Sequence, residues 1–260
     1  SGEDIWCQMF SEPGAGSDLA NLRTRSEQDR DDWIINGQKI WTSGAQYSDW
    51  GILVTRSDPT VPKHQGLTFF FVDMHSEGIE VRPIKLLDGD FEVNEVFFTD
   101  VRVPTRVRLG PKDEGWSVVT YALQYERVGA ARYARAAFTL DRLAELARER
   151  GLLDDPLVVD RLAEARTLCE AARMLTYRVI DQRAHDLPPT TDTQIARVAN
   201  TTADYRVGEL AVEILGPDAL EYGSFADTNF RLAMTAGVAV GSTEVQLNLI
   251  AARHLNLPRE

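Results

Sequence analysis

The feature that most constrains the fold is an abrupt change of residue pattern near Gly110. Up to about Val107 the chain is a series of short β-type runs: Ile5 to Phe10, Trp33 to Trp41, Trp50 to Arg56, Leu67 to Val72, Ile79 to Ile84 and Glu92 to Val101. Turn chemistry bounds them at Asp31-Asp32, Asn36-Gly37, Asp58-Pro59, Gly66 and Asp88-Gly89, and Asn36-Gly37 predicts a hairpin between Trp33-Ile34-Ile35 and Gln38 to Trp41. Short strands without intervening helices predict a β-barrel or sandwich. Beyond Gly110-Pro111 come four helical stretches, Trp116 to Glu149, Pro156 to His185, Thr193 to Leu215 and Asn229 to His254. They are separated by Gly151 with Asp154-Asp155-Pro156, by Leu187-Pro188-Pro189 and by Gly216-Pro217. The expectation is an α+β chain, with a β-barrel or sandwich over residues 1–109 and an antiparallel four-helix bundle over residues 110–260.

On the first helical stretch, Val119, Leu123, Ala130 and Ala134 trace an apolar stripe, and the spacing puts Glu126 on that face. A carboxylate there calls for a chemical role or a buried ion pair. The Glu-Arg mixture from Glu145 to Arg150 reads as a solvated helix end.

A net charge of -12 disfavours nucleic acid and anionic membrane as partners. It leaves room for an anionic cofactor held locally by arginines, backbone N–H groups or helix N-termini. Cys7 and Cys169 lie in no CxxC or metal spacing, which points to a reducing, cytoplasmic compartment. His64, His75, His185 and His254 are scattered, and no metal is predicted. No apolar run is long enough to cross a membrane, and the first residues lack a signal-peptide pattern. The opening, Ser1-Gly2-Glu3-Asp4-Ile5, has no initiator Met and reads as the start of a piece of a longer polypeptide.

Two segments carry the functional signal. Ser11 to Asp18 reads SEPGAGSD, with Gly14 and Gly16 where a backbone can approach a ligand closely, followed by a hydroxyl and a carboxylate. Trp41-Thr42-Ser43-Gly44 places an aromatic face beside a hydroxyl at the end of a strand-like run. The pairing suits a flat, phosphate-bearing cofactor. With Ile35 to Trp41 and Arg56-Ser57-Asp58-Pro59, these segments resemble the middle domain of the acyl-CoA dehydrogenases, and the helical half resembles that family's C-terminal domain. The family's N-terminal helical domain has no counterpart here.

The resemblance implies FAD lying between the β-domain and the helical domain. A base removes the proton alpha to the thioester, and the beta hydrogen leaves as hydride to the flavin. Ser11 matches the residue facing the flavin pyrimidine edge, with Gln8 and Phe10 beside it. Gly16 and Ser17 match the phosphate end. Trp41 matches the aromatic lying against the ring system, and Ser43 the hydroxyl near N5, where the family usually has threonine. Ser17 and Arg127 are the implied substrate contacts.

The base is implied less simply. The stretch Gly241-Ser242-Thr243-Glu244-Val245-Gln246 matches a family element that many members precede with the catalytic glutamate, but that position is Ala239. A second group of the family, including isovaleryl- and long-chain-type enzymes, places its base on the first helix of the C-terminal domain. Aligned through Gly115-Trp116, that position is Glu126. In a partly apolar, water-poor pocket it would be a stronger base. The competing role is a helix–helix salt bridge to Arg127 or Arg231. Glu244 ranks well below Glu126.

Two further departures touch the cofactor tail: Arg148-Glu149-Arg150-Gly151-Leu152 lacks the family's phenylalanine, and Leu215 to Leu220 replaces a glycine-rich stretch. They resemble actinobacterial members built from two unlike chains, some acting on steroid side-chain thioesters. The few lysines, Lys39, Lys63, Lys85 and Lys112, fit a GC-rich genome. The resemblance thus implies an FAD-dependent acyl-CoA dehydrogenase forming a trans-2-enoyl-CoA. Its partners would be an acyl-CoA, an electron-transferring flavoprotein, and copies or unlike chains in a dimer or tetramer. The alternatives are a non-catalytic partner subunit and an acyl-CoA oxidase. The isolated 260 residues are expected to bind FAD weakly or not at all.

Overall fold

The computed structural model describes residues 2–126, 130–239 and 241–258. They form two compact units, Ser1–Ala122 and Leu123–Glu260. The first holds eight strands, β1 (Trp6–Met9), β2 (Arg25–Asp29), β3 (Asp32–Ser43), β4 (Trp50–Arg56), β5 (Leu67–Asp73), β6 (Ile79–Ile84), β7 (Val93–Pro104) and β8 (Arg108–Leu109). They make one sheet in the order β6-β7-β3-β2-β4-β5-β8, with β1 parallel to β4. Inward residues at alternate positions, among them Met9, Trp33, Ile35, Leu53, Phe70 and Val96, close its core.

Two local expectations need correction. Asn36-Gly37 is not a hairpin turn: β3 runs through it, and the register shift between Ile35 and Gly37 is an extra residue on the facing strand β7. Gly37 has φ 150, and a Cβ there would meet the Thr24 backbone at 2.7 Å, so glycine serves a close strand approach. The actual turn is Arg30-Asp31, where Arg30 takes φ 58 and joins β3 to β2. Strand β2 escaped the sequence reading because only Ser26 of its five residues is buried, leaving no apolar alternation to see.

The helices are α1 (Gly115–Glu126), which crosses the division between the units, then α2 (Ala130–Glu149), α3 (Pro156–Ala184), α4 (Asp192–Leu215), α5 (Phe225–Met234) and α6 (Thr243–Arg253). In the second unit α4 packs against α2, α3, α5 and α6. Its burial explains this central place, because inward small residues such as Ala196, Ala203, Gly208 and Ala211 let neighbouring helices approach closely. A Cβ on Gly208 would stand 2.7 Å from that of Ala233.

The fourth helical stretch is two helices, and the first is described as α1 and α2, with residues 127–129 outside the described residues. The predicted stripe of Val119, Leu123, Ala130 and Ala134 does not reach Ala134, which is exposed; α2 turns Ala136, Leu140, Leu143 and Ala147 inward instead, and the side chain of Ala130 lies outside the described residues. The fourth stretch breaks between Met234 and Thr243, where Gly241 takes φ 88, a conformation that side chains disfavour.

Candidate functional site

The candidate site of the β-unit is built where β1 ends beside β3. Strand β1 carries Gln8 outward and Met9 inward, and Phe10 then packs its ring edge-on against Phe69 at 5.8 Å. The Phe10 side chain is thus core. Ser11 is half-buried, and its carbonyl accepts from the Ile40 N–H at 2.9 Å, which holds it beside the Trp41 end of β3. Next, Glu12 and Ala15 exchange two backbone hydrogen bonds of 3.0 Å, closing Glu12 to Ala15 into a tight loop. Gly14, Gly16 and Ser17 face out, and a Cβ added at either glycine would meet nothing within 4 Å. The backbone is therefore open to a ligand. Asp18 is tied to Lys63 at 2.8 Å.

Strand β3 aims its end by a second bulge. Trp33, Ile35 and Lys39 face inward, so plain alternation would also bury Trp41. The register shifts between Lys39 and Thr42, Trp41 takes φ 62, and the phase moves by one residue. Thr42 is now buried, while Ser43 is exposed and the Trp41 side chain is 57% exposed. A bulky residue at positive φ is a sparsely populated state. Here it presents a flat indole face and a neighbouring hydroxyl outward. The predicted Ser11, Trp41 and Ser43 are thereby brought to one end of the sheet. Behind the loop, a recess of about 320 Å³ is lined by residues that include Glu12, Gly14, Arg23 and Gln38.

Beneath this surface lies a pair that the sequence reading missed. Lys39 is 0% exposed, and its Nζ donates to the Phe10 carbonyl and to Glu12 Oε1, both at 2.9 Å. The Glu12 carboxylate also accepts from the Arg23 N–H at 2.6 Å and the Thr24 N–H at 2.8 Å. Burial pushes the Lys39 ammonium down to about 8 against the pull of Glu12. Burial also pushes the Glu12 carboxyl up, but Lys39 and the N–H donors hold it below its usual range. The one available signal was the charged Lys39 inside an otherwise strand-like run.

In the helical unit the picture is different. Glu126 ends α1 and is exposed, so the described residues of this chain do not form the water-poor pocket expected around it. Its charge acts on Arg132, whose guanidinium is pushed down by burial and pulled back up by Asp204 and Glu126. Of the competing partners, Arg127 lies outside the described residues, and Arg231 binds Asp227 at 2.6 Å. Asp204 is buried on α4 and paired with Arg135 at 2.8 Å, and burial raises its carboxyl despite that partner.

Ala239 lies in the turn after α5, which α4 grips from one stripe. Arg197 donates to the Ala236 and Ala239 carbonyls at 2.5 Å each, Thr201 to Ala236 at 3.4 Å, and the Tyr205 hydroxyl accepts from the Gly237 N–H at 3.1 Å. Spacings of four residues put these three side chains on one helix face. Glu244 is exposed in the first turn of α6, a separate helix from the turn of Ala239. The two departing segments meet in an Arg150–Asp218 ion pair of 2.5 Å. No cluster of potential metal ligands occurs among the described residues, and no described helix is long and apolar enough to cross a membrane.

Comparison with known proteins agrees with this architecture. Residues 7–101 match the acyl-CoA dehydrogenase middle domain, and residues 113–255 its C-terminal domain. The chain is 36% identical to acyl-CoA dehydrogenase IpdE1 of Mycobacterium tuberculosis over 99% of its own length and 68% of that protein. Among solved structures, it resembles the Tcur3481-Tcur3483 steroid ACAD with a TM-score of 0.93 and 30% identity, covering 100% of this chain and 70% of that one. It also resembles the ChsE4-ChsE5 complex from Mycobacterium tuberculosis, with a TM-score of 0.89, 31% identity and the same coverage. The chain therefore belongs to the acyl-CoA dehydrogenases, a family of FAD-dependent oxidoreductases.

Proposed function

We propose that this chain contributes the flavin-facing wall and the base of an acyl-CoA dehydrogenase that converts an acyl-CoA thioester to its trans-2-enoyl-CoA. The observation that carries the reading is the outward pair Trp41 and Ser43, set by a bulge at strained backbone beside Ser11 and an open glycine loop. These residues fit a flavin. The indole offers a flat face, Ser11 and Ser43 offer hydroxyls, and Gly14 and Gly16 leave backbone accessible to phosphate. When bound, FAD accepts the hydride from the beta carbon. Gln8 and the Phe10 backbone flank Ser11, and Gly16 and Ser17 serve the phosphate end. Ser43 supports the charge that builds up at the flavin edge.

Glu126 is the proposed base, taking the alpha proton, with Ser17 and Arg127 as substrate contacts. Arg132, close enough to feel the Glu126 charge, favours the ionised form that can accept a proton. Electrons then pass to an electron-transferring flavoprotein. The boundary proposed between the two domains is Leu109/Gly110, in keeping with the separate family matches on either side. The proposed location is the cytoplasm. The steroid ACAD and the ChsE4-ChsE5 complex support a bulky thioester and a heteromeric assembly.

A second reading is a non-catalytic partner subunit, favoured by Ala239 at the usual base position and by the exposure of Glu126. Anaerobic titration with acyl-CoAs separates the two. Bleaching of bound flavin that is lost in Glu126→Gln supports the first, and bleaching that survives in Glu126→Gln supports the second. Peroxide released during aerobic turnover would instead indicate an oxidase.

A further inference from the structure

We propose that Lys39 and Glu12 act as a positioning pair, in which one buried ammonium locks the Glu12–Ala15 loop to the bulge that turns Trp41 outward. The inference rests on the reading of Ser11, Trp41 and Ser43 as the flavin wall. It assigns a role to two residues that do not themselves face a ligand.

The geometry is specific. Lys39 is the last inward residue of β3 before the register shift, so its side chain is the nearest internal anchor for the bulge. Its ammonium reaches across to the Phe10 carbonyl, immediately before Ser11, and to the carboxylate at the loop's first corner. The same carboxylate fixes the chain beyond the loop through the Arg23 and Thr24 N–H groups. The Ile40 N–H to Ser11 carbonyl bond completes the link on the other side of Lys39. One ion pair thus joins four points: loop entry, loop corner, loop exit and bulge. Arg56 on β4 adds positive charge within range of Glu12, while its own guanidinium is held by the Ala20, Lys63 and Gln65 carbonyls.

A buried pair that served stability alone would be replaceable by uncharged residues, since such replacements are often neutral once no lone charge is left behind. A positioning pair would not be replaceable. The test uses Lys39→Met and the double variant Lys39→Met/Glu12→Gln, in which neither position carries a charge. Three quantities are read in the gene product that contains this chain: the unfolding midpoint, amide hydrogen exchange at Glu12, Ala15 and Ile40 without FAD, and FAD affinity by fluorescence titration.

The double variant is expected to regain most of the unfolding midpoint lost in Lys39→Met. Exchange at the three amides should nevertheless stay raised by about tenfold, and FAD affinity lowered by about tenfold, each about 1.4 kcal/mol. Wild-type protection and affinity in the double variant would overturn the proposal. So would a loosened loop with unchanged affinity. If the wild-type gene product bound no FAD, the reading of the flavin wall would fail, and the exchange comparison would still decide whether the pair locks the loop.

Discussion

The two units treat their buried charges in opposite ways. In the β-unit the Lys39–Glu12 pair is sealed from solvent and hydrogen-bonded, while Gly16, Ser17, Trp41 and Ser43, proposed for the cofactor, stand exposed. In the helical unit the proposed base, Glu126, is exposed, while the buried charges include Arg197 and Asp204, the latter paired with the half-buried Arg135. The contrast teaches that a binding wall can be complete within one short stretch of chain. A base that depends on a dry pocket requires neighbours from elsewhere.

The sharpest way to break this comparison is to remove one member of each pair. Lys39→Met leaves the Glu12 carboxylate buried beside two N–H donors and should cost about 3–5 kcal/mol by chemical denaturation. Arg135→Met should cost less, about 1–3 kcal/mol, because the Asp204 carboxyl is already pushed toward its neutral form and can take up a proton. Equal losses would erase the distinction between the pairs.

Next in size is the grip of α4 on the Ala239 turn. Gly237→Ala places a Cβ 2.2 Å from the Tyr205 hydroxyl and should destabilise by about 1–3 kcal/mol, with Tyr205→Phe costing about 1 kcal/mol. Unchanged unfolding curves in both variants would show the turn to be held by other means.

A smaller effect is readable in pH. The unfolded Lys39 keeps its proton to about 10.4, whereas the folded side chain releases it at about 8. Between those values the unfolded state binds more protons, so this group makes stability rise with pH. The rise should reach about 1 kcal/mol between pH 8 and 9 and vanish in Lys39→Met. Cys169 works the other way: burial lifts its thiol to about 11 from 9.0, so its contribution is lost as pH rises from 9 to 11. The Lys39 effect is therefore cleanest below pH 9. The smallest stability change should come from Ser43→Ala, within about 0.5 kcal/mol, although that variant should weaken FAD binding.

How much of this was legible in the sequence depended on the range of the interaction. The change from strands to helices, Ser11 to Asp18 and the Trp41 segment were readable because each is a local pattern. Asn36-Gly37 was misread as a hairpin turn because the dipeptide favours one, and only pairing with β7 and the approach of Thr24 show that β3 runs through it. The break after Met234 was hidden because an apolar count runs smoothly across it. The Lys39–Glu12 pair spans 27 positions, and the charge of Lys39 inside a strand-like run was the only local hint of it. The exposure of Glu126 was equally invisible, since its position on a helix face says nothing of what covers that face.

The central claim is that the chain supplies both the flavin wall and the base. It is tested most directly by the rate at which an acyl-CoA bleaches bound flavin under anaerobic conditions, in the gene product that contains this chain and in its Glu126→Gln variant. The account predicts that the variant retains FAD and bleaches about 10²–10⁴-fold more slowly, the range of a lost general base. Bleaching at the unaltered rate in Glu126→Gln would contradict it and place the base at another residue.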